Sequence, residues 1–297
     1  MLADNVGPYV QQVRQRRTGL SPGVCPGDYG LTKHVLIIGG TSDIGLAVAE
    51  AALSSGANAT ISSSTSLKIA SAVNSLGSLY PNRAVHGITS DLSTPYVEDT
   101  LTALFDAAQI TSSIDRVVYT AADSLSLGPL KKTAPQGINS VAHMRMVVPI
   151  LVAKTAARLL PPSSLSSITL TTGSVAQRPS KGWAEISCFA GGLASLTRAL
   201  AVDLAPVRVN AVQPGVVDTG LWDYMGEEER KGFVKGVEEG MLTGRMGRVE
   251  DLAEAYLWVM KDGNCTETVA RTDEVGLLVW EGAREGGGRG RVSEDCV

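Results

Sequence analysis

Short runs of β-branched and aliphatic residues recur along the chain, and stretches with helical spacing of apolar positions lie between them. These runs predict strands over His34 to Ile38, Asn58 to Ser62, Ala84 to Ile88, Arg116 to Thr120, Ser167 to Thr172, Val207 to Val212 and Val275 to Val279. Helical patterns cover Ile44 to Leu53, Val97 to Ala108, Val141 to Leu160 and Ala184 to Leu204. Strands that alternate with helices imply an α/β fold, a single doubly wound parallel sheet with helices on both faces. There is no internal repeat and no linker, so one domain over residues 32–283 is expected. Residues 1–31 mix Gln, Arg, Pro and Gly without periodicity, and Val13 to Arg17 reads as a solvated charge run. A disordered N-terminal extension is expected there, and a flexible tail over the Gly- and charge-rich residues 284–297.

Composition narrows the function classes. Hydrophobic residues make up 44% of the chain and charged ones 19%, enough apolar material for a sizeable core. A net charge of −4 gives no electrostatic case for nucleic acid or an anionic membrane. No apolar run approaches a membrane span, and the N-terminus carries no secretory pattern. The four cysteines have no paired spacing, which argues against a disulfide framework or a metal site and fits a reducing, cytoplasmic setting. Cys188 is read as a buried, inert thiol rather than a nucleophile.

The first strand runs into Gly39-Gly40-Thr41-Ser42-Asp43-Ile44-Gly45, and the first helix opens there. Glycines at a strand-to-helix turn allow a sharp reversal and let a phosphate approach the backbone. The helix N-terminus then offers unpaired N–H groups and a positive dipole end. This makes the sheet Rossmann-type, with Gly39, Thr41, Ser42, Asp43, Ile44 and Gly45 as candidate dinucleotide-binding residues. Ser42 or Asp43 can cap the helix. Asp43 is acceptable beside a pyrophosphate only if its side chain points into the turn. At the end of the second strand, Ser62, Ser63 and Ser64 stand where an acid would bind the ribose hydroxyls of NAD, with Lys68 just beyond. Hydroxyls and a lysine without a carboxylate favour a 2′-phosphate, hence NADP(H); the alternative is a polar loop that contacts nothing.

Together these pieces resemble the short-chain dehydrogenase/reductase family over Lys33 to Val279. The glycine turn matches its GxxxGxG pattern, with Asp43 in place of the middle glycine. The resemblance implies adenine contacts from Asp91 and Leu92. It places Tyr119, Thr120, Ala121 and Ala122 at the segment ending the fourth strand, and cofactor contacts at Pro214, Gly215, Val217 and Thr219. The family's Tyr-x-x-x-Lys pair falls on Ile186 and Ala190, which carry no transferable proton, and its asparagine falls on or near Arg145. Only the hydroxyl survives, as Thr172 or, with a one-residue shift, Ser174.

Arg145 lies in the apolar stretch Met144 to Ala153 and can bind an anionic or carbonyl oxygen. The other reading is a structural ion pair at a subunit interface. Trp183, in Pro179-Ser180-Lys181-Gly182-Trp183, offers a flat wall for a polycyclic substrate, or simply packs its loop. Arg145, Pro179, Gly182 and Trp183 resemble a divergent fungal secondary-metabolite branch that includes bifunctional reductase/Diels–Alderases of indole alkaloid biosynthesis. Ser180 stands where that branch has its acid, so the acid's role does not carry over. His143 is given no role.

Three functions stay open: an NADPH-dependent reductase of an imine, iminium or carbonyl group; a non-redox cyclase or isomerase confining its substrate under the loop from Leu221 to Met246; and a silent nucleotide-binding protein. The resemblance also implies a homodimer or homotetramer.

Overall fold

The computed structural model describes residues 33–123, 125 and 127–273. The proposed extension and tail, and the strand expected over 275–279, lie outside these residues. Seven parallel strands form one sheet in the order β3-β2-β1-β4-β5-β6-β7. They are β1 (His34–Ile38), β2 (Asn58–Ser63), β3 (Val85–Thr89), β4 (Arg116–Tyr119), β5 (Ser167–Thr171), β6 (Arg208–Pro214) and β7 (Val269–Thr272). The seventh strand pairs Ala211 with Val269 through Pro214 with Thr272. The strand order reverses beside β1, which pairs with both β2 and β4. Such a switch point opens a crevice beyond the strands' C-terminal ends.

Eight α-helices complete the described residues: α1 (Asp43–Ser54), α2 (Ser66–Leu79), α3 (Val97–Gln109), α4 (Pro135–Ala142), α5 (Val148–Leu159), α6 (Ala184–Asp203), α7 (Glu227–Gly240) and α8 (Val249–Lys261). The central strands are apolar on both sides because each is covered twice. Val35 and Ile37 pack with Val48, Leu252 and Tyr256 on one face; Leu36 and Ile38 pack with Phe105, Val152 and Leu193 on the other. Arg208, buried at the start of β6, donates to the carbonyls of Ser164, Val259, Met260 and Cys265. It thereby serves carbonyls at the end of α8 that the helix itself leaves unpaired.

Two expectations change. The helix foreseen over Val141 to Leu160 is broken: α4 ends at Ala142, His143–Val147 forms a π turn, and α5 begins at Val148. The segment Leu221 to Met246, expected as a loop, contains α7. Its Val237 joins Trp222, Met241 and Met246 in a separate apolar cluster, with Phe233, Met225 and Trp183 against it. The acids Glu227 to Glu229 lie in its first turn, where the helix dipole favours them.

Candidate active site

Above β1 the glycines are required by the protein's own packing. A Cβ on Gly45 would lie 2.1 Å from the Gly39 carbonyl oxygen, and one on Gly39 would lie 2.6 Å from the Ala121 nitrogen. Gly39 also takes a left-handed φ of 92°. The N–H groups of Gly39 and Gly40 donate to the Ser62 carbonyl at 3.0 and 3.1 Å, so they brace the turn rather than face a ligand. The helical ladder of α1 opens with Leu46 N–H to Ser42 O. That leaves the N–H groups of Asp43, Ile44 and Gly45 ahead of it as the donors for a phosphate. Thr120 closes the other side, its hydroxyl donating to the Ile38 carbonyl at 3.1 Å.

Asp43 departs from expectation. It sits at φ 47°, a left-handed conformation that costs a side-chain-bearing residue roughly 1 kcal/mol. Its carboxylate does not turn into its own loop. Oδ1 accepts the Gly220 N–H at 3.0 Å, tying the glycine turn to the segment after β6. Ser42 occupies the cap position in extended geometry, but its side chain makes no capping bond. Thr219 performs that service downstream, its hydroxyl accepting the Leu221 N–H at 3.4 Å. Gly215 N–H reaches the Thr272 carbonyl, and the buried Val217 accepts the Trp222 indole N–H at 2.8 Å.

At the end of β2, Ser62 is buried, whereas Ser64 and Lys68 are exposed and Ser63 is half-buried. No acid lies in the first turn of α2. A 2′-phosphate there would meet hydroxyls, a helix N-terminus and Lys68, and no carboxylate. Asp91 is exposed. Its carboxylate accepts both the hydroxyl and the N–H of Ser93, which hold it below the usual aspartate range. Leu92 is buried, and its carbonyl accepts Nε2–H of His143 at 2.7 Å, so His143 does have a structural role.

The positions that would carry a proton relay are apolar and inward-facing: Ile186 and Ala190 on α6 are 4% and 7% exposed. The Thr172 hydroxyl donates to the Ala190 carbonyl at 2.7 Å and is thus committed to packing. Ser174 opens a short 3-10 turn, partly exposed. Tyr119 was not foreseen as a site residue. Its buried hydroxyl donates to the Met144 carbonyl at 2.7 Å. Burial pushes its ionisation well above the usual tyrosine range; Arg145 pulls the other way and Asp123 adds to the rise.

Arg145 projects from the π turn to the loop after β4. Nη2 donates to the Asp123 carbonyl at 2.9 Å and stands 2.9 Å from its Oδ1. The ion pair expected as an alternative is therefore formed within the chain, to an acid the sequence reading passed over. Nε of Arg145 is buried with no hydrogen-bond partner, whereas the buried Asp123 Oδ1 has Arg145 Nη2 beside it. Buried charged groups with unfilled hydrogen-bonding capacity are costly and call for a further partner.

Trp183 is half-buried against the cluster of Trp222, Val237 and Met246, so one side of it packs the α7 region. Ser180 and Lys181 are exposed. Gly182 adopts a left-handed φ of 84°, and its carbonyl accepts the Gly128 N–H at 3.1 Å, which joins this loop to the one after β4. Cys188, expected to be buried, is exposed on α6, while Cys265 is the buried one. No group of His, Cys, Asp and Glu able to hold a metal occurs among the described residues. Nor is any of their helices long and apolar enough to cross a membrane.

The model of the SDR-like Rossmann domain matches residues 30–279. The chain belongs to the short-chain dehydrogenase/reductase family. It is 40% identical over 253 residues to the short-chain dehydrogenase/reductase fsr5 of Gibberella fujikuroi, covering 82% of this chain and 94% of that one. It is equally 40% identical to malC of Malbranchea aurantiaca, over 83% of this chain and 95% of the relative. The solved structure of the MalC reductase/Diels–Alderase superposes with a TM-score of 0.80 at 39% identity, covering 84% of this chain and 99% of that one. This enzyme is therefore similar to fungal reductases of the family, in a fold whose members bind NAD(P)(H).

Proposed function

We propose that this enzyme is an NADP(H)-dependent reductase of an imine or iminium group in a polycyclic secondary-metabolite intermediate, with hydride transfer coupled to cyclisation. The supporting observation is the charged pair Arg145–Asp123, with the buried Arg145 Nε still unpaired, at the helix position where the family carries its asparagine. Ile186 and Ala190 offer no proton, Thr172 spends its hydroxyl on Ala190, and Tyr119 is held far from ionisation. A substrate that already carries positive charge needs no acid to activate it, only orientation and a counter-charge.

When bound, the nicotinamide supplies the hydride. The chain's part is to hold and shape. The N–H groups of Asp43 to Gly45 would take the pyrophosphate; Ser63, Ser64 and Lys68 would take the 2′-phosphate. The Asp123 carboxylate is the anion available to a cationic centre. Arg145 holds it and has Nε left for an amide or carbonyl oxygen. Trp183 with Trp222, Phe233, Met225 and Met246 forms an apolar wall that excludes water.

That wall also favours a second reading, in which confinement alone accelerates a cyclisation without redox change. NADPH absorbance followed alongside product separates the two. Stoichiometric loss of NADPH supports the reductase; product formed with no NADPH consumed overturns it in favour of the cyclase.

A further inference from the structure

In a regular helix the Val148 N–H would bond to the Met144 carbonyl, four residues back. Here it reaches the carbonyl of His143, five residues back. Pro149 follows, and proline has no N–H to offer. The Met144 carbonyl is thus stripped of its helical partner on both counts, and the Tyr119 hydroxyl occupies it at 2.7 Å. The residues on either side are tied as well: His143 to the Leu92 carbonyl after β3, and Arg145 to Asp123 after β4. Consecutive residues of one π turn are therefore fastened to successive loops at the sheet's C-terminal edge. π turns are rare and recur at functional positions because they re-aim side chains.

We propose that Tyr119 is a positioning residue: by holding the Met144 carbonyl it keeps the π turn open and so aims Arg145 at Asp123. Tyr119 contacts neither substrate nor cofactor in this role and acts through Arg145. Without its hydroxyl, the Met144 carbonyl is a half-buried acceptor with no partner in the chain, and the nearest remedy is the Val148 N–H. Taking that bond returns the segment to the α register. Each α-helical residue turns by about 100°, so losing the extra residue swings Arg145 off the Asp123 side.

The functional consequence rests on Arg145 serving the proposed reaction, and the test keeps the two apart. Tyr119→Phe removes only the hydroxyl. Its crystal structure is expected to show His143–Val147 in α register and the Arg145–Asp123 contact broken; an unchanged π turn and contact overturn the proposal without any assay. With a dihydroisoquinolinium salt and NADPH, turnover of Tyr119→Phe is expected to fall about tenfold while its NADPH affinity stays level. In an Arg145→Ala background the same substitution is expected to cost nothing further, because its effect passes through Arg145. An equal loss in both backgrounds means general destabilisation and overturns the proposal. Full turnover in Arg145→Ala alone removes Arg145 from the reaction instead, leaving the geometry to the crystal structure. If Tyr119→Phe does not fold, Pro149→Ala with Tyr119 intact is expected to keep the π turn and the Arg145–Asp123 contact, because the Tyr119 hydroxyl still holds the Met144 carbonyl. A return to the α register in that variant overturns the proposal, since proline and not Tyr119 would then be holding the turn open.

Discussion

The glycine turn at Gly39–Gly45 and the arginine site at Arg145 lie at the same edge of one sheet, yet they are built on opposite terms. In the turn, backbone atoms set the geometry. Gly39, Gly45 and Ala121 approach so closely that a single methyl would collide with a main-chain atom. Around Arg145, side chains from separate segments set it: Asp123 is 22 residues away, and the partners Tyr119 and Met144 are 25 apart. Under the proposed function the first region would hold the constant piece of ligand and the second the variable one. Steric geometry suits the former and replaceable side-chain contacts the latter.

The strongest test of this contrast is Gly45→Ala. The added methyl meets the Gly39 carbonyl, and relief requires the backbone to move. A loss of about 3 kcal/mol, or roughly 10 °C in Tm, is expected, together with loss of NADPH binding by calorimetry. A stable variant with full affinity would show that the turn is not sterically set.

Arg145→Ala should do the reverse, sparing NADPH affinity while lowering turnover about a hundredfold. Ser180→Ala, at an exposed loop position, should change turnover little. Equal activities in the two variants would remove Arg145 from its role.

Lys68→Ala sharpens the cofactor side. Lys68 is exposed, so its charge is partly screened and its loss should weaken NADPH binding only about fivefold, less at high salt. NADH binding should not change. Equal weakening of both cofactors would mean that Lys68 does not meet the 2′-phosphate.

The smallest effect concerns His34, buried beneath the turn in β1, with Nδ1 donating to the Ser112 carbonyl and Nε2 accepting from Thr60. Burial lowers its folded pKa below the usual histidine value. The unfolded chain then binds a proton more readily than the folded one. Stability from this group is complete above about pH 6.5 and drains away as pH falls toward the folded value. Melting curves between pH 5 and 8 should slope accordingly, and His34→Gln should flatten them.

How much of this was readable beforehand follows the same division. The strands β1 to β6 and the helices α1, α3 and α6 were legible because buried parallel strands are apolar throughout and covering helices repeat at a fixed spacing. The glycine turn was legible because its chemistry lies within seven consecutive residues. The π turn was hidden inside an apolar stretch whose periodicity ran through it; Pro149 was the available signal for the break. Cys188 was misjudged because the small-residue pattern of α6 does not reveal which face meets solvent. The helix α7 was overlooked because its sequence is dominated by charge, and only packing of Val237 and Phe233 against Trp222 gives it a place.

By itself, then, the sequence determined the sheet, the glycine turn, the absence of an acid beside Lys68 and the apolar residues Ile186 and Ala190. Each is set by neighbours along the chain. Tertiary structure alone decided that Asp43 reaches Gly220, that Tyr119 serves Met144 and that Arg145 meets Asp123. Those partners lie far apart in sequence, and the folding of the sheet brings them within hydrogen-bonding reach, so no local pattern encodes them.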